Sequence, residues 1–314
     1  MTKIAPVNLA ASVRQRLLNL SRTRREDFNL LLSRYAAERC LYRLSRSRHG
    51  EHFILKGAML FRVWTQETHR PTMDLDLLAY GDSSAERLRR VFTDLCTVEL
   101  EPDGLEFVKE SITVTAIRED DEYHGQRVEM MAMLGKMRIS LQVDVGFGDA
   151  VEVEKPSEYP TLLDFPSPWV KMYPKQYVVS EKLHAMVILG ERNSRMKDFY
   201  DLWFMGGQFP FEGSALTHAM IQTFHRRKTP MPDEVPAALL QAFAENPLKR
   251  MQWRGFLNRN RLEMSGRPLE QILVEISRFV VPPLLAAAKG EAFGFLWSSG
   301  GPWVEAPKSG APDS

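Results

Sequence analysis

Two aspartates, Asp74 and Asp76, have the residue type and the spacing of ligands for a divalent cation. They form an Asp-x-Asp pair in the otherwise apolar run Met73–Leu78, which predicts a buried strand. Side chains alternate along a strand, so both carboxylates leave one face while Leu75 and Leu77 pack on the other. Two carboxylates held this close are stable in their charged form when a cation lies between them. Hard oxygen ligands of this kind favour Mg²⁺ or Mn²⁺.

Asp144 is the third carboxylate of the predicted site. It lies in the run Met137–Val145, where apolar and polar residues alternate, so it belongs to the polar face of a strand. If this strand lies beside the first, three carboxylates could hold two ions about 3.5–4 Å apart, as two-metal catalysis requires. We therefore predict Asp74, Asp76 and Asp144 as metal ligands and catalytic residues. Asp149 could also contact metal, but its position after Gly146 and Gly148 favours a polar turn residue.

Groups suited to binding phosphate precede the Asp-x-Asp pair. An Asp-x-Asp pair alone is common in turns, so the residues that precede it are the stronger indication of a functional site. Lys56, Gly57 and Ala58 lie where a predicted strand passes into a helix, which places backbone N–H groups and the positive helix end beside an anion. Glycine at this position lets the backbone approach a ligand closely. Arg70 and Thr72 add a cation and a hydroxyl in the turn before the pair, and all five residues are predicted substrate contacts.

A second set of candidate residues lies in the second half of the chain. Lys182 falls in a predicted helix and can neutralise nucleotide phosphates as a point charge. Asp198 and Asp201 are three residues apart and therefore share one face of the next predicted helix. The structural alternative is that Asp198 caps its helix and Lys182 is a surface residue. Spacing does not decide which aspartate acts, and we favour Asp198 as catalytic; the remaining predicted substrate contacts are Arg195, Lys197 and Asp201.

Composition is that of an ordinary globular protein of a reducing compartment. The 314 residues are 44% hydrophobic and 26% charged, with a formal net charge of +1 and two cysteines that have no CxxC neighbour. Met1–Ala10 lacks the apolar run and cleavage pattern of a secretory signal, and no run of 18 apolar residues occurs. We therefore expect a cytoplasmic protein without a secretory signal or a membrane partner. Zinc-protease, GxSxG and P-loop motifs are also missing from the sequence, which disfavours those enzyme classes.

Positive charge is concentrated in residues 1–50, which contain eleven Lys and Arg against three acids, a net charge of +8. A basic end of this kind can bind the phosphates of a polyanion. A solvated helix face is the equal alternative.

The order of the predicted elements indicates an α+β fold, with N-terminal helices and a mixed-sheet core followed by a helical C-terminal domain. Short alternating runs between residues 106 and 153 predict strands separated by polar or glycine turns. The expected division is a basic helical lead-in (1–50), the core (51–155), a Pro-rich linker (156–175), a helical domain that completes the active site (176–296) and a flexible tail (297–314).

Five stretches of the chain, in order, resemble the motifs of one known family. They are Phe53–Leu60, Arg70–Asp76, Gln142–Asp149, Glu181–Leu183 and Asn193–Leu202. Together they resemble the AbiEii/AbiGii, or MenT-type, toxin family of the DNA polymerase β-like nucleotidyltransferase superfamily. The superfamily usually has Gly-Ser or Gly-Gly where this chain has Gly57-Ala58, which removes a hydroxyl but keeps the backbone N–H groups.

The resemblance implies a reaction and partners. The enzyme would use Mg²⁺ or Mn²⁺ to transfer nucleotides from an NTP to an RNA acceptor, the 3′ end of tRNA, and so block translation and growth. It implies that Lys182 and an aspartate of Asp198–Asp201 are needed for activity, and that a cognate AbiEi-type antitoxin is encoded nearby. Two alternatives stay open: a nucleotidyltransferase that modifies a protein or a small molecule, and a catalytically degenerate module that binds NTP or RNA.

Overall fold

The structure is a computed structural model that describes residues 8–65, 69–119, 123–148, 151, 153, 155–262 and 267–307. The chain divides into two compact units, Met1–Tyr173 and Pro174–Ser314. The first unit contains a mixed seven-stranded sheet with helices, and the second is mainly helical. This order of elements confirms the predicted α+β fold class.

In the described residues of the first unit, two helices precede the sheet and two shorter ones lie between its strands. The helices are α1 (Leu9–Arg24), α2 (Phe28–Arg46), α3 (Met59–Thr65) and α4 (Ala85–Thr97). The strands are β1 (Phe53–Lys56), β2 (Asp74–Ala79), β3 (Leu105–Glu119), β4 (Tyr123–Leu134), β5 (Met137–Phe147), β6 (Ser157–Glu158) and β7 (Trp169–Met172). Their order across the sheet is β3-β4-β5-β2-β1-β7-β6. β2 runs parallel to β5, and β1 to β7, while the other neighbours are antiparallel.

The hairpin of β4 and β5 follows from its turn and from its side-chain alternation. The strands are joined by Gly135-Lys136, and Gly135 has a φ of 61°, a conformation that glycine adopts without strain. This turn places Leu134 opposite Met137 and sets the register of the whole pair. Along β5 the buried residues are Ile139, Leu141, Val143 and Val145, the apolar face that the sequence predicted. The alternate residues of β5 are therefore left for a less buried face.

Over residues 174–262 and 267–307, the second unit consists of helices and one small sheet. The helices are α5 (Lys175–Leu189), α6 (Met196–Gln208), α7 (Gly213–Arg226), α8 (Gln241–Glu245), α9 (Pro247–Arg259) and α10 (Leu269–Lys289). The strands are β8 (Phe211–Glu212), β9 (Phe295–Trp297) and β10 (Trp303–Glu305), in the order β10-β9-β8.

α10 is the most apolar helix of the second unit. Pro282 and Pro283 lie inside it without ending it. By length and composition alone it could cross a membrane, but half of its most apolar stretch is buried inside the protein. Burial of this kind is typical of the core helix of a globular unit.

Two parts of the chain differ from the expected division. The range 156–175 was expected to be a linker, but it supplies β6 and β7 to the sheet, and the unit boundary falls after Tyr173. The range 297–314 was expected to be a flexible tail, but its first part includes β10. The Trp297 and Trp303 rings pack on Phe279, with centroids 5.1 and 6.2 Å away, so aromatic burial outweighs the local glycine and proline content.

Several N-terminal arginines are held by acids of the first unit. The Arg39 side chain is fully buried and donates from Nε to Asp103 Oδ2 at 3.0 Å, and Arg43 donates to both oxygens of the same carboxylate. Three more arginines of this region also form ion pairs: Arg16, Arg34 and Arg48. The residues of this region that could bind the phosphates of a polyanion are therefore mainly its exposed arginines, among them Arg14, Arg22, Arg24 and Arg25.

The carboxyl of Glu38 is buried beside this arginine cluster. Its Oε2 accepts a 2.7 Å hydrogen bond from the Leu162 amide, while Oε1 lies 3.8 Å from Arg39 Nη1 and accepts no hydrogen bond. Burial raises the pKa of Glu38 from 4.5 to about 7. The folded protein therefore holds this proton more tightly than the unfolded chain does.

This raised pKa predicts a pH-dependent contribution to stability. The contribution is present in full below pH 4.5 and is lost as pH rises through about 7, because the unfolded chain ionises first. Between pH 5 and 8 it should lower the free energy of unfolding by about 1–3 kcal/mol. Burial lowers the pKa of His184 to about 4, which makes stability rise with pH over part of the same range in every variant, so the difference between two proteins is the readout. In urea unfolding across this range, the stability of wild type should fall relative to that of Glu38→Gln as pH rises. Glu86→Gln, which changes an exposed acid, should keep the wild-type slope; identical slopes in wild type and Glu38→Gln would contradict the assignment.

Candidate active site

A row of charged residues crosses the middle of the sheet. Lys56 of β1 is paired with Asp76 of β2, Asp76 with Asp144 of β5, and Asp144 with Arg127 of β4. Residues directly opposite each other on neighbouring strands project to the same face, so these four side chains share it. The row places two acids side by side with one cation at each end.

Asp74 lies two residues before Asp76 in β2, so its side chain projects from the same face of the sheet. Leu75 and Leu77 are buried on the opposite face, whereas Asp76 is half-buried and Asp74 is exposed. The structure therefore has the arrangement that the Asp-x-Asp spacing predicted. β2 and β5 are also parallel neighbours in the sheet. This pairing is the condition under which Asp144 could belong to the same site as Asp74 and Asp76.

Gly57 packs its backbone directly against the Asp76 carboxylate. Its φ is 72°, and a Cβ at this position would lie 1.8 Å from Asp76 Oδ2. A side chain is thus excluded both by the left-handed backbone and by the space that the carboxylate occupies. The close approach joins the turn after β1 to the acidic pair in β2.

Arg127 is the residue of this group that the sequence interpretation missed. Its Nε and Nη2 donate to Asp144 Oδ1 and Oδ2, each at 2.8 Å, and Gln142 Nε2 lies 3.4 Å from Oδ1. The hydrogen bond with Asp144, and then the charges of Asp144 and Asp74, raise the pKa of the guanidinium. A signal was available, because the two-residue turn Gly135-Lys136 fixes a register that sets Arg127 opposite Asp144.

The second unit brings together Lys182, Asp198 and Asp201. The Lys182 ammonium on α5 lies 2.7 Å from Asp198 Oδ1 and 2.7 Å from Asp201 Oδ2, both on α6. Only 17% of the Lys182 side chain, 7% of Asp198 and 1% of Asp201 is exposed. The shared face predicted for the two aspartates is therefore turned towards Lys182, and the preference for Asp198 over Asp201 stays a prediction.

The remaining predicted contacts have simpler surroundings. Ala58 lies in the turn between β1 and α3, and Arg70 is half-buried before β2. The Thr72 hydroxyl lies 3.5 Å from the Asp74 carbonyl oxygen, the Arg195 amide donates to Asn193 Oδ1 at the start of α6, and Lys197 is exposed. Asp149 lies outside the described residues.

The residues of the first unit fit a divalent cation by their chemistry and register. Asp76 and Asp144 offer carboxylate oxygens from neighbouring strands, and Asp74 offers a third group on the same face. Within the part of the chain that the structure describes, no three His, Cys, Asp or Glu side chains are gathered around one point as they would be around an ion. Both oxygens of Asp144 are instead turned to Arg127, so three-carboxylate binding requires this fork to open.

Comparison with solved structures returns distant neighbours. A Helicobacter pylori protein described as a nucleotidyltransferase is 14% identical, with a TM-score of 0.43, over 80% of this chain and 91% of its own. JHP933 of Helicobacter pylori is 11% identical, with a TM-score of 0.42, over 80% of this chain and 88% of its own. No curated protein matches the sequence significantly.

Comparison with protein families is decisive. The model of the nucleotidyl transferase AbiEii toxin family, from type IV toxin–antitoxin systems, matches residues 39–274. This range includes the acidic residues on β2 and β5, as well as Lys182 and its two aspartates. Since the match spans most of the chain and both groups of candidate residues, this protein belongs to the AbiEii family of nucleotidyltransferase toxins.

Proposed function

We propose that this protein uses Mg²⁺ or Mn²⁺ to transfer nucleotides from an NTP to the 3′ end of an RNA, with tRNA as the acceptor. The observation that carries the proposal is the register of β2 and β5, which sets Asp76 directly opposite Asp144 with Asp74 on the same face. Asp74, Asp76 and Asp144 would hold the metal. When bound, the metal would supply a lowered pKa for the attacking hydroxyl and neutralise charge on the triphosphate.

The protein's own groups bind and orient the nucleotide in this proposal. The backbone N–H groups at Gly57 and Ala58, together with Lys56, Arg70 and Thr72, are suited to phosphate oxygens. Transfer of this kind demands mainly position and charge neutralisation from the protein. The turn after β1 is well placed to supply both, because its backbone already touches the Asp76 carboxylate.

Lys182 is assigned to nucleotide phosphate as a point charge, with Arg195 and Lys197 nearby in sequence. Asp198 and Asp201 hold its ammonium in one place, each at 2.7 Å. A lysine fixed in this way loses little rotamer freedom when it binds an anion. Of the two aspartates, we assign Asp198 as the one needed for nucleotide transfer.

An RNA acceptor is favoured over a protein or a small molecule because exposed arginines remain at the amino terminus. Arg22, Arg24 and Arg25 are exposed around the end of α1, although other arginines of the region are tied to acids of the first unit. Exposed cations of this kind bind a polyanion through its phosphates. A cognate antitoxin, of AbiEi type, is the proposed protein partner.

The test is transfer of label from each NTP in turn to total tRNA in the presence of Mg²⁺. Wild type should label RNA, whereas Asp76→Asn should not. Asp27→Asn is the matched control, since Asp27 caps α2 and asparagine caps a helix equally well. Label in protein would identify a protein acceptor instead. No transfer from any NTP by folded wild-type protein would contradict the proposed enzyme and favour a binding module.

A further inference from the structure

Arg127 forms an ion pair with Asp144, one of the three carboxylates of the proposed metal site. Its guanidinium forms a fork on Asp144, with Nε to Oδ1 and Nη2 to Oδ2 both at 2.8 Å. Charge-assisted pairs of this bidentate geometry are among the stronger hydrogen-bonded contacts in proteins. Asp144 therefore cannot turn both oxygens to a cation while the fork is closed.

The Arg127–Asp144 pair lies on the solvent-accessible face of the sheet. The Arg127 side chain is 39% exposed and that of Asp144 is 22% exposed. Solvent screens an ion pair exposed to this extent, although the bidentate geometry retains part of the attraction. The hydrophobic contacts of β4 and β5 are made by the opposite face, which includes the buried Val128 and Val143.

The position of Arg127 indicates an electrostatic role. Asp74, Asp76 and Asp144 share one face of two adjacent strands, and three carboxylates so arranged repel one another unless a positive charge lies among them. Arg127 stands at the end of this row, directly opposite Asp144. It supplies positive charge to Asp144 at this end of the row, as Lys56 does opposite Asp76 at the other end, and it occupies the same Asp144 oxygens that a metal would use.

We propose that Arg127 is a built-in counter-ion of Asp144, which a divalent cation must displace in order to bind. Arg127 therefore weakens the binding of metal to the nucleotide-free protein. The inference rests on the proposed metal dependence. It makes Arg127 a positioning residue that acts through Asp144. Once displaced, its planar fork is free to pair with a phosphate, a geometry for which a lysine is no substitute.

The test measures Mn²⁺ binding to the full chain without nucleotide, by electron paramagnetic resonance of free Mn²⁺. Arg127→Gln should bind Mn²⁺ roughly three to ten times more tightly than wild type, the range expected for removing one competing charge. Arg127→Lys, which keeps the charge but loses the fork, should fall between them. Arg48→Gln removes an arginine that makes a single 2.8 Å contact with Asp94 in the same unit, away from the three acids, and should match wild type.

Coupling to Asp144 separates this role from a structural one. In an Asp144→Asn background, Arg127→Gln should change Mn²⁺ affinity less than twofold, because the competed carboxylate is gone. Suppose that wild type binds Mn²⁺ and that Asp76→Asn does not. If Arg127→Gln then binds Mn²⁺ no more tightly than wild type, the role of Arg127 is overturned while the proposed metal dependence stands. If neither wild type nor Arg127→Gln binds Mn²⁺ in an Asp76-dependent way, the proposed metal dependence fails as well.

Discussion

Replacing Gly57 with alanine is expected to lower nucleotide transfer by at least about a hundredfold, close to the effect of removing the Asp76 carboxylate. The new Cβ would lie 1.8 Å from Asp76 Oδ2 and 2.6 Å from its Cγ, so the carboxylate must move. A displacement of about 1 Å in a catalytic group is enough to lower a rate about 100-fold. The measurement is single-turnover label transfer at saturating NTP, beside Asp76→Asn.

Gly135→Ala separates this steric effect from backbone strain. Gly135 has a φ of 61°, close to the 72° of Gly57, but its added Cβ would meet only Ala10 Cβ at 3.6 Å. Gly135→Ala should lose about 1–2 kcal/mol from the left-handed backbone alone, and Gly57→Ala should lose at least as much because its Cβ also displaces the Asp76 carboxylate. Only Gly57→Ala should lose activity, so a folded Gly57→Ala with more than a tenth of the wild-type rate would refute the argument.

Lys182→Met is expected to destabilise the second unit by about 3–5 kcal/mol, because it leaves two buried carboxylates without their shared cation. The side chains of Asp198 and Asp201 are only 7% and 1% exposed, and each lies 2.7 Å from the Lys182 ammonium. Two like charges would then face each other in a poorly solvated place. Urea unfolding followed by tryptophan fluorescence measures the change, and Trp203 on α6 reports from the same helix as both aspartates.

Two further variants make this prediction specific. Lys197→Met changes an exposed lysine on the same helix and should stay within about 0.5 kcal/mol of wild type. The triple variant Lys182→Met, Asp198→Asn, Asp201→Asn removes all three charges and should recover much of the lost stability while remaining inactive. A stable but inactive triple variant would separate the role of Lys182 in catalysis from its role in folding. A loss below 1 kcal/mol in Lys182→Met would contradict the buried pairing.

Local sequence was sufficient for the elements that carry the acids. Strand alternation placed Asp74 and Asp76 on one face, and it placed Asp144 on the polar face of β5. Both predictions depend only on the two-residue period of a strand, which neighbouring residues report directly. Ordered motifs also indicated the AbiEii family, which the family match confirms.

One contact was within reach of sequence reasoning and was nevertheless missed. The turn Gly135-Lys136 determines the register of β4 and β5, and counting outward from it reaches Arg127 and Asp144. Alternation within a single strand does not reveal the cation opposite Asp144, which only the pairing of β4 with β5 identifies. The linker prediction, and the tail prediction over residues 297–307, failed for a related reason: proline and glycine content describes the local backbone, whereas β7 pairs with β1 and Trp303 of β10 packs on Phe279.

What the sequence by itself determined is therefore the residue types of the site, the faces from which they project and the family. Only the tertiary structure decided that β2 lies beside β5 with Asp76 opposite Asp144, that Gly57 touches Asp76, and that Lys182 contacts two aspartates rather than one. The physical reason is that strand alternation and helical spacing act between near neighbours. Pairing between distant strands uses backbone hydrogen bonds that are alike for nearly every residue, so the packing of the complete chain selects the partner.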